Sequence, residues 1–191
     1  MFSGIIETKA KILNIDNGNF TIENVFEEPL KIGQSIAHDG ACMTITNFDD
    51  KKYTFFVMQE SFSKTNFGNK SPGDFFNVER CVKVGDRLDG HIVSGHIDTT
   101  GIVSKILRNS DNSLEINIKF DENFSKYIIP KGSITINGVS LTIVQEAKNL
   151  LSVCLIPITQ EITNLGTLKV GDKVNLEFDI VGKYIYKNNK I

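Results

Sequence analysis

The chain has 191 residues, a net charge of −2 at neutral pH and three cysteines with no paired spacing. This charge provides no basic field for nucleic acid, and the cysteine count argues for reduced thiols rather than a disulfide framework. Residues 1–7 show no basic region before a long apolar run, and no apolar stretch has membrane length. These features predict a cytoplasmic protein with no nucleic-acid or membrane partner.

The first half of the chain consists mostly of short β-branched or aromatic runs bounded by Gly, Asn or Asp, of which residues 53–57 are an example. Asp39-Gly40 lies between two such runs and indicates a hairpin, because a tight two-residue turn needs positive φ. A short helical turn is predicted over residues 59–64. The polar, glycine-containing stretch 84–89 marks the end of this half.

The second half repeats the first. Residues 35–45 return as residues 133–143, an offset of 98 (133 − 35), while Gly95–Thr99 replays Gly4–Thr8 at an offset of 91 (95 − 4). Loops absorb such a difference at little cost. A period near a hundred residues indicates a duplicated domain in which each copy has its own core.

The later elements support an all-β fold. Residues 114–120 and 173–178 alternate apolar and polar residues, as half-buried strands do, and Asn137-Gly138 repeats the hairpin turn. Short helical turns are predicted over residues 122–127 and 160–164. Many short strands in two copies favour a pair of small antiparallel barrels over an α/β sheet.

Three regions are therefore predicted. An N-terminal barrel occupies residues 1–88, a C-terminal barrel occupies residues 89–182, and a short tail occupies residues 183–191.

The residues after the two hairpin turns are candidates for chemistry. Cys42 and Thr44 point the same way from one strand, and Ser140 and Thr142 do so in the second copy. Two similar pockets with different chemical groups are implied. Alternatively, small polar residues beside tight turns only satisfy backbone groups, and a lone buried cysteine is more often inert.

The histidines do not form a convincing metal site. His91 and His96 are five residues apart, on opposite faces of an extended segment, and no Cys or carboxylate cluster completes a ligand set. His96 stands where the first copy has Ile5, which favours proton transfer or a hydrogen bond to a ligand. Asp179 is a candidate carboxylate, or equally an exposed charge at a strand end.

Several motifs in the same order resemble riboflavin synthases of the alpha-chain type. They are residues 1–7, 35–44, 94–97, 131–132, 137–142, 155–157 and 163–166. The resemblance covers nearly the whole chain. It implies two tandem six-stranded Greek-key barrels and the dismutation of two 6,7-dimethyl-8-ribityllumazine molecules. A four-carbon unit passes from one molecule to the other, giving riboflavin and 5-amino-6-ribitylamino-uracil, and no metal or separate cofactor is implied.

The resemblance also implies two sets of ligand-binding residues. One lumazine would be held by Gly4, Ile5, Ile6, Cys42, Met43, Thr44, Phe56, Val57, Met58, Gln59, Glu60 and Ser61. The other would be held by Gly95, His96, Ile97, Lys131, Ser140, Leu141, Thr142, Ile156, Pro157, Ile158, Thr159, Gln160 and Glu161.

Catalytic roles are implied for a smaller group. His96 with Thr142, and Ser140 with Asp179, are the expected pairs for proton transfer and for positioning a nucleophile or water. Ser35 and Cys42 are the corresponding candidates in the first barrel.

The resemblance further implies a homotrimer whose reacting pair lies between the N-terminal barrel of one subunit and the C-terminal barrel of its neighbour. Association with lumazine synthase is left open.

Two rival functions would use a similar barrel. A non-catalytic lumazine- or flavin-binding protein of the same fold would be expected to lose catalytic-pocket residues, whereas this chain keeps Cys42, His96, Ser140 and Asp179. A flavin-binding barrel of a redox enzyme would need a nicotinamide-binding domain, for which the chain has neither the length nor the glycine-rich fingerprint.

Overall fold

Each half of the chain forms a closed antiparallel β-barrel in the computed structural model, which describes residues 1–188. The first barrel contains β1 (Thr8–Asp16), β2 (Asn19–Glu23), β3 (Ser35–His38), β4 (Ala41–Phe48), β5 (Lys52–Phe56) and β6 (Phe75–Arg80). The second contains β7 (Thr99–Arg108), β8 (Leu114–Lys119), β9 (Ser133–Ile136), β10 (Val139–Ala147), β11 (Leu150–Leu155) and β12 (Lys173–Phe178).

The two barrels share one topology. Their strand orders are β1-β2-β5-β4-β3-β6 and β7-β8-β11-β10-β9-β12, and each order closes on itself. In each barrel three consecutive strands form a meander, and the next strand along the chain lies beside the first of them, which is a Greek key. The predicted all-β fold with two tandem six-stranded Greek-key barrels is confirmed.

Helical segments are short. They are α1 (Gln59–Lys64), α2 (Pro157–Ile162), α3 (Ile180–Asn188) and the 3-10 turns Asn66–Asn69, Glu122–Tyr127 and Asn164–Thr167. The helical turns predicted over 59–64 and 122–127 are present. The turn predicted over 160–164 had the wrong bounds, because Pro157 starts the helix and Thr163 is already extended.

The strands of the two barrels span residues 8–80 and 99–178, and residues 81–98 connect them. The division at residue 88 falls within this connection and stays a prediction. α3 begins at Ile180, before the predicted start of the tail, and residues 189–191 of that tail lie outside the described residues. Among residues 1–188, no helix is long and apolar enough to span a membrane.

The alternation predicted for the strands is present, but the polar face of β12 does not face solvent. In β8, Leu114, Ile116 and Ile118 are buried and the residues between them are half-buried. In β12, both Asn175 and Glu177 are also buried. Their side chains contact the opposite barrel and the segment before β7, so this face is an internal interface.

The cores differ in composition although the folds match. The first contains fully buried aromatic rings, including Phe20, Phe55 and Phe76. It also buries His38, whose Nε2 lies 2.8 Å from the Tyr53 hydroxyl oxygen. Burial lowers the pKa of His38 to about 3, so the ring is neutral at neutral pH. The second core is mainly aliphatic, as the matching residues, Ile136 and Leu151, illustrate.

The two barrels meet at their repeated hairpin turns. Asp39 and Asn137 have φ values of 44° and 46°, and the following glycines, Gly40 and Gly138, have 83° and 79°. A Cβ atom on Gly138 would lie 2.6 Å from the backbone nitrogen of Gly40. The predicted turns are therefore present, and the glycines permit both the positive φ and the close approach.

Buried asparagines join the barrels in a nearly symmetric pattern. The Asn66 backbone N–H donates to Asn175 Oδ1 at 2.6 Å, and the Asn164 backbone N–H donates to Asn77 Oδ1 at 2.7 Å. Each bond links the 3-10 turn of one barrel to the last strand of the other. An amide side chain both donates and accepts, so it can satisfy backbone groups from two barrels at once.

The symmetry of this interface is broken by one charge pair. Asp39 is fully buried, and its Oδ2 lies 2.8 Å from Lys70 Nζ, whose side chain is 14% exposed. Asp39 also accepts hydrogen bonds from the Asn66 and Asn164 side chains. In the second copy Asn137 replaces the aspartate, and Leu168 stands where the first copy has the lysine. The second copy therefore has the uncharged pair Asn137 and Leu168 where the first has Asp39 and Lys70.

Replacing Lys70 by Leu should destabilise the protein, because it leaves the Asp39 carboxylate buried without its cation. We expect a loss of about 3 kcal/mol in the free energy of unfolding, measured by urea denaturation.

The double variant Lys70→Leu/Asp39→Asn copies the Asn137 and Leu168 arrangement and should recover most of this loss. Asn66 Nδ2 faces Asp39, so an amide at position 39 donates to Asn66 Oδ1 once the Asn66 amide turns over; that oxygen is buried without a partner among the described residues. Equal losses in the single and double variants would show that Lys70 does not act by offsetting the charge of Asp39.

Candidate functional site

Each barrel is preceded by a short segment that contacts the opposite barrel. We call residues 2–6 the first leader and residues 93–97 the second leader. The Gly4 carbonyl accepts a hydrogen bond from the Ser140 backbone N–H at 2.7 Å, and the Gly95 carbonyl accepts one from the Cys42 backbone N–H at 2.8 Å. Each leader thus lies beside a strand of the opposite barrel, β10 or β4, and is joined to it by one backbone hydrogen bond. In this sense the two barrels exchange leaders.

Apolar side chains follow the same exchange. Ile6 of the first leader is buried in the core of the second barrel, whereas Ile97 of the second leader packs against the core of the first. Phe2 and Val93 pair through two backbone hydrogen bonds where the leaders meet. Each barrel core is therefore completed by a residue that precedes the other barrel.

Two buried glutamates hold the leaders in place. Glu79 accepts hydrogen bonds from the Ser3 backbone N–H at 2.6 Å, the Ser3 hydroxyl at 2.8 Å and the Gly4 N–H at 3.0 Å. Glu177 accepts the equivalent three from Ser94 and Gly95, at 2.7, 2.6 and 3.0 Å. Burial raises the pKa of both carboxyl groups, and the hydrogen bonds from the leaders act in the opposite direction.

A cleft lies where the second leader crosses β4. This first cleft has a volume of about 290 Å³ and is lined by Cys42 and Met43 of β4, Met58 and Ser61 at α1, and residues 95–97 of the second leader. Its rim also carries the ion pair of Glu60 and Lys64, 3.0 Å apart. Its residues form a small concave site with thiol, hydroxyl, imidazole and backbone groups, the composition expected of a small-molecule pocket.

This grouping differs from the expected one. The resemblance implied that residues 95–97 bind with Ser140 and Thr142, but the structure places them beside Cys42. It likewise places Gly4 beside Ser140 rather than beside Cys42. His96 and Thr142 are consequently assigned to different clefts. The expected grouping assigned each leader to the barrel that follows it in sequence, and which residues share a ligand stays a prediction.

The matching residues around β10 form the equivalent surface of the second barrel, which we call the second cleft. Ser140 and Leu141 are half-buried and Thr142 is exposed, next to the first leader. Its rim is apolar: Ile158 and Ile162 replace the Glu60 and Lys64 ion pair, and Ile158 is 53% exposed. Further exposed apolar side chains here are Ile5 of the first leader and Ile156 before α2. The two clefts share a backbone frame but differ in rim chemistry.

Ser140 has a partner that the sequence did not reveal. His91 Nδ1 lies 2.8 Å from Ser140 Oγ, and the ring is buried. Burial lowers the pKa of His91, while the negative charge of Asp179 raises it by a smaller amount. Ser140 and Asp179 were predicted as a pair; His91 contacts Ser140 and is acted on by the charge of Asp179, and the pairing of Ser140 with Asp179 stays a prediction. His91 is 49 residues from Ser140 in the chain, so no local spacing indicates the contact.

The first cleft has different groups at the matching positions. Ser35 on β3 is paired in register with Thr44 on β4, beside the pair formed by Ala37 and Cys42. Cys81, which matches Asp179 at the offset of 98, donates from its sulfur to the Ser35 carbonyl at 3.6 Å. Ser35, Thr44 and Cys42 thus occupy neighbouring positions at this site.

Other predicted ligand residues are already engaged by the protein or lie at the rim. Val57 is buried in the first core. Gln160 donates through its side chain to the Asn112 and Leu155 carbonyls, both at 2.9 Å. The Glu161 carbonyl accepts from the Lys9 ammonium at 2.8 Å.

The remaining ones are at segment ends: Phe56 ends β5, Gln59 starts α1, Pro157 starts α2 and Thr159 lies within it, while Lys131 has a φ of 66° before β9. Their roles toward a ligand stay predictions.

Comparison with known proteins finds the same domain in both copies. A family model described as the lumazine binding domain matches residues 3–81 and again residues 94–179. Riboflavin synthase of Actinobacillus pleuropneumoniae is 42% identical, over 97% of this chain and 88% of that protein. Riboflavin synthase of Escherichia coli strain K12 is 41% identical, over 94% and 87%. That of Mycobacterium tuberculosis strain H37Rv is 37% identical, over 97% and 96%.

The chain belongs to the riboflavin synthase family. Both segments matched by the lumazine binding domain begin within a leader, at Ser3 and Ser94, and end just past β6 and β12, at Cys81 and Asp179. The repeated unit of this riboflavin synthase family member is therefore a leader together with the barrel that follows it, although the leader contacts the opposite barrel.

Solved structures share this fold. LumP complexed with riboflavin has a TM-score of 0.83 at 24% identity, over 93% of this chain and 99% of that chain. LumP complexed with 6,7-dimethyl-8-(1'-D-ribityl) lumazine has a TM-score of 0.81 at 23% identity, with the same coverage. At this level of identity the likeness shows the fold alone.

Because the leaders are exchanged, substituting a glutamate of one barrel should alter the backbone of the other barrel. In Glu177→Gln the new amide cannot accept at both positions, so the Gly95 N–H or the Ser94 groups lose their acceptor. We expect a loss of about 1–3 kcal/mol in the free energy of unfolding. In ¹H–¹⁵N spectra, backbone shifts should change at Cys42 and its neighbours in the first barrel.

The matched control is Glu79→Gln, which should instead perturb the neighbours of Ser140 in the second barrel. Perturbations confined to the barrel that carries each substituted glutamate would contradict the exchange.

Proposed function

We propose that this protein catalyses the riboflavin synthase reaction. Two molecules of 6,7-dimethyl-8-ribityllumazine are converted to riboflavin and 5-amino-6-ribitylamino-uracil by transfer of a four-carbon unit. The observation that carries the proposal is that the backbone frame of the first cleft is repeated around β10 with different side chains. A dismutation needs one compound bound twice, once as donor and once as acceptor, and this pair of clefts suits that need.

Catalysis in this proposal depends mainly on proximity. Holding two reactants in a fixed mutual geometry replaces a bimolecular encounter with an effectively unimolecular step. The heterocycle delocalises a carbanion formed at its methyl group, so a modest base is sufficient to remove a methyl proton. The chemistry therefore needs well-placed hydroxyl, thiol and imidazole groups rather than an additional strong acid or base.

The clefts divide the proposed roles. In the first, Cys42, Thr44 and the exposed His96 face the ligand, and Ser35 lies beside them. In the second, Ser140 and Thr142 hold the other lumazine, and Asp179 acts near Ser140 through His91. Backbone groups of the leaders would pair with the polar edges of each ring system.

We also propose that the active assembly is a homotrimer in which the first cleft of one subunit faces the second cleft of its neighbour. This arrangement would let His96 meet Thr142 of the partner subunit, although the two residues lie in separate clefts of one chain. Exposed apolar residues support association: Ile156, Ile158 and Ile162 at the second cleft, and Val181, Tyr184 and Ile185 on one stripe of α3.

The proposed location of this activity is the cytoplasm. Association with lumazine synthase is a further hypothesis, and co-sedimentation of the two purified proteins would test it.

Purified protein incubated with 6,7-dimethyl-8-ribityllumazine alone should form riboflavin and the pyrimidine product in equal amounts. His96→Gln should lower kcat about hundredfold, because a proton-transfer group is lost. Cys154→Ser, a change at an exposed cysteine of β11 outside both clefts, is the matched control and should retain full activity. Tight lumazine binding without turnover by the unmodified protein would instead identify a carrier.

The trimer makes a separate prediction. Tyr184→Lys/Ile185→Lys should yield monomers in sedimentation velocity and abolish most of the activity, because charges replace the apolar stripe of α3. Lys187→Glu, on the same helix, exchanges one charge for another at an exposed position outside the stripe and should leave both properties unchanged. An unmodified protein that is monomeric and fully active at the assay concentration would refute the trimer.

A further inference from the structure

The second cleft contains a hydrogen-bonded group that sets it apart from the first. His91 Nδ1 and Ser140 Oγ are 2.8 Å apart. The His91 backbone N–H donates to the Ser3 carbonyl at 3.1 Å, so the residue is anchored to the first leader. Its ring is only 9% exposed and is acted on by the charge of Asp179. The first leader and the connection between the barrels therefore meet at Ser140.

The first cleft has the same backbone frame but different side chains at the matching positions. Cys42 stands at the position of Ser140, and Cys81 stands at the position of Asp179. The Cys81 sulfur contacts the Ser35 carbonyl. A carboxylate, an imidazole and a hydroxyl in the second cleft thus correspond to two thiols in the first. A difference of this kind is what two clefts need if they are to treat one compound in two ways.

We propose that His91 is a positioning residue that fixes the orientation of the Ser140 hydroxyl toward the ligand of the second cleft. The imidazole Nδ1 accepts the hydroxyl hydrogen, so the lone pairs of Ser140 Oγ face the cleft. In that orientation the oxygen accepts a hydrogen bond from the lumazine or from an attacking water. The inference rests on the proposed function and names the residue that distinguishes the second cleft from the first.

Burial of the ring favours the neutral form that this orientation requires. Nδ1 can accept only if the imidazole is neutral and carries its proton on Nε2. Burial lowers the pKa of His91 and keeps the ring neutral at neutral pH. The contact with Ser140 and the burial of the ring are therefore consistent with a neutral imidazole whose Nδ1 accepts from the hydroxyl.

Substitutions separate positioning from packing. His91→Leu fills similar space but has no acceptor, so kcat should fall about tenfold to hundredfold while the Kd for lumazine stays within about threefold. His91→Asn places an amide oxygen near the position of Nδ1 and should recover most of kcat. Ser140→Ala should match His91→Leu, and the double variant should lose no more than either single variant.

Two results would overturn the inference. The first is a kcat for His91→Leu within about twofold of that of the unmodified protein. The second is an equal loss in His91→Leu and His91→Asn that follows their unfolding midpoints, since that would indicate packing alone.

A measurement without turnover keeps the test independent of the proposed function. Imidazole ¹⁵N shifts of the full chain should show His91 protonated on Nε2 and unprotonated on Nδ1, and a proton on Nδ1 would refute the orientation. An unmodified protein that makes no riboflavin but shows this tautomer would overturn the proposed function while leaving the hydroxyl orientation supported.

Discussion

The reciprocal exchange of leaders is the constraint on which both clefts depend. Glu79 and Glu177 each accept three hydrogen bonds from a leader, and the leaders in turn bind Ser140 and Cys42 through glycine carbonyls. A buried carboxylate is costly unless its oxygens are satisfied, so each leader is held in the one position that satisfies them. Backbone groups at the clefts are thereby fixed by interactions far inside the molecule.

Polar interactions, rather than apolar area alone, determine how the two barrels are oriented. Asn77 and Asn175 bind backbone groups of the opposite barrel with both ends of their amides. Such bonds are directional, and a small rotation of one barrel would leave several buried donors without acceptors. The orientation is consequently specific enough for a leader to reach the correct strand on the other side.

The sequence predicted the features that depend on local pattern. Alternation in residues 114–120 and the positive φ at Asp39 and Asn137 follow from the geometry of a few neighbouring residues, and repetition revealed the second barrel. The exchange could not be predicted in this way, because a repeat shows which residues are equivalent but not which copies touch. His91 was missed for the same reason, since its contact with Ser140 crosses between segments that share no period.

The chain is therefore a covalently joined pair of barrels, each of which needs the leader of the other. Residues 81–92 connect the end of the first barrel to the start of the second leader, so each leader docks from a high effective concentration rather than by diffusion of separate molecules. Because the joined copies need not remain identical, one cleft can acquire a histidine and an aspartate while the other keeps two thiols. Fusion therefore allows the symmetry of a doubled fold to be broken at its two binding sites independently.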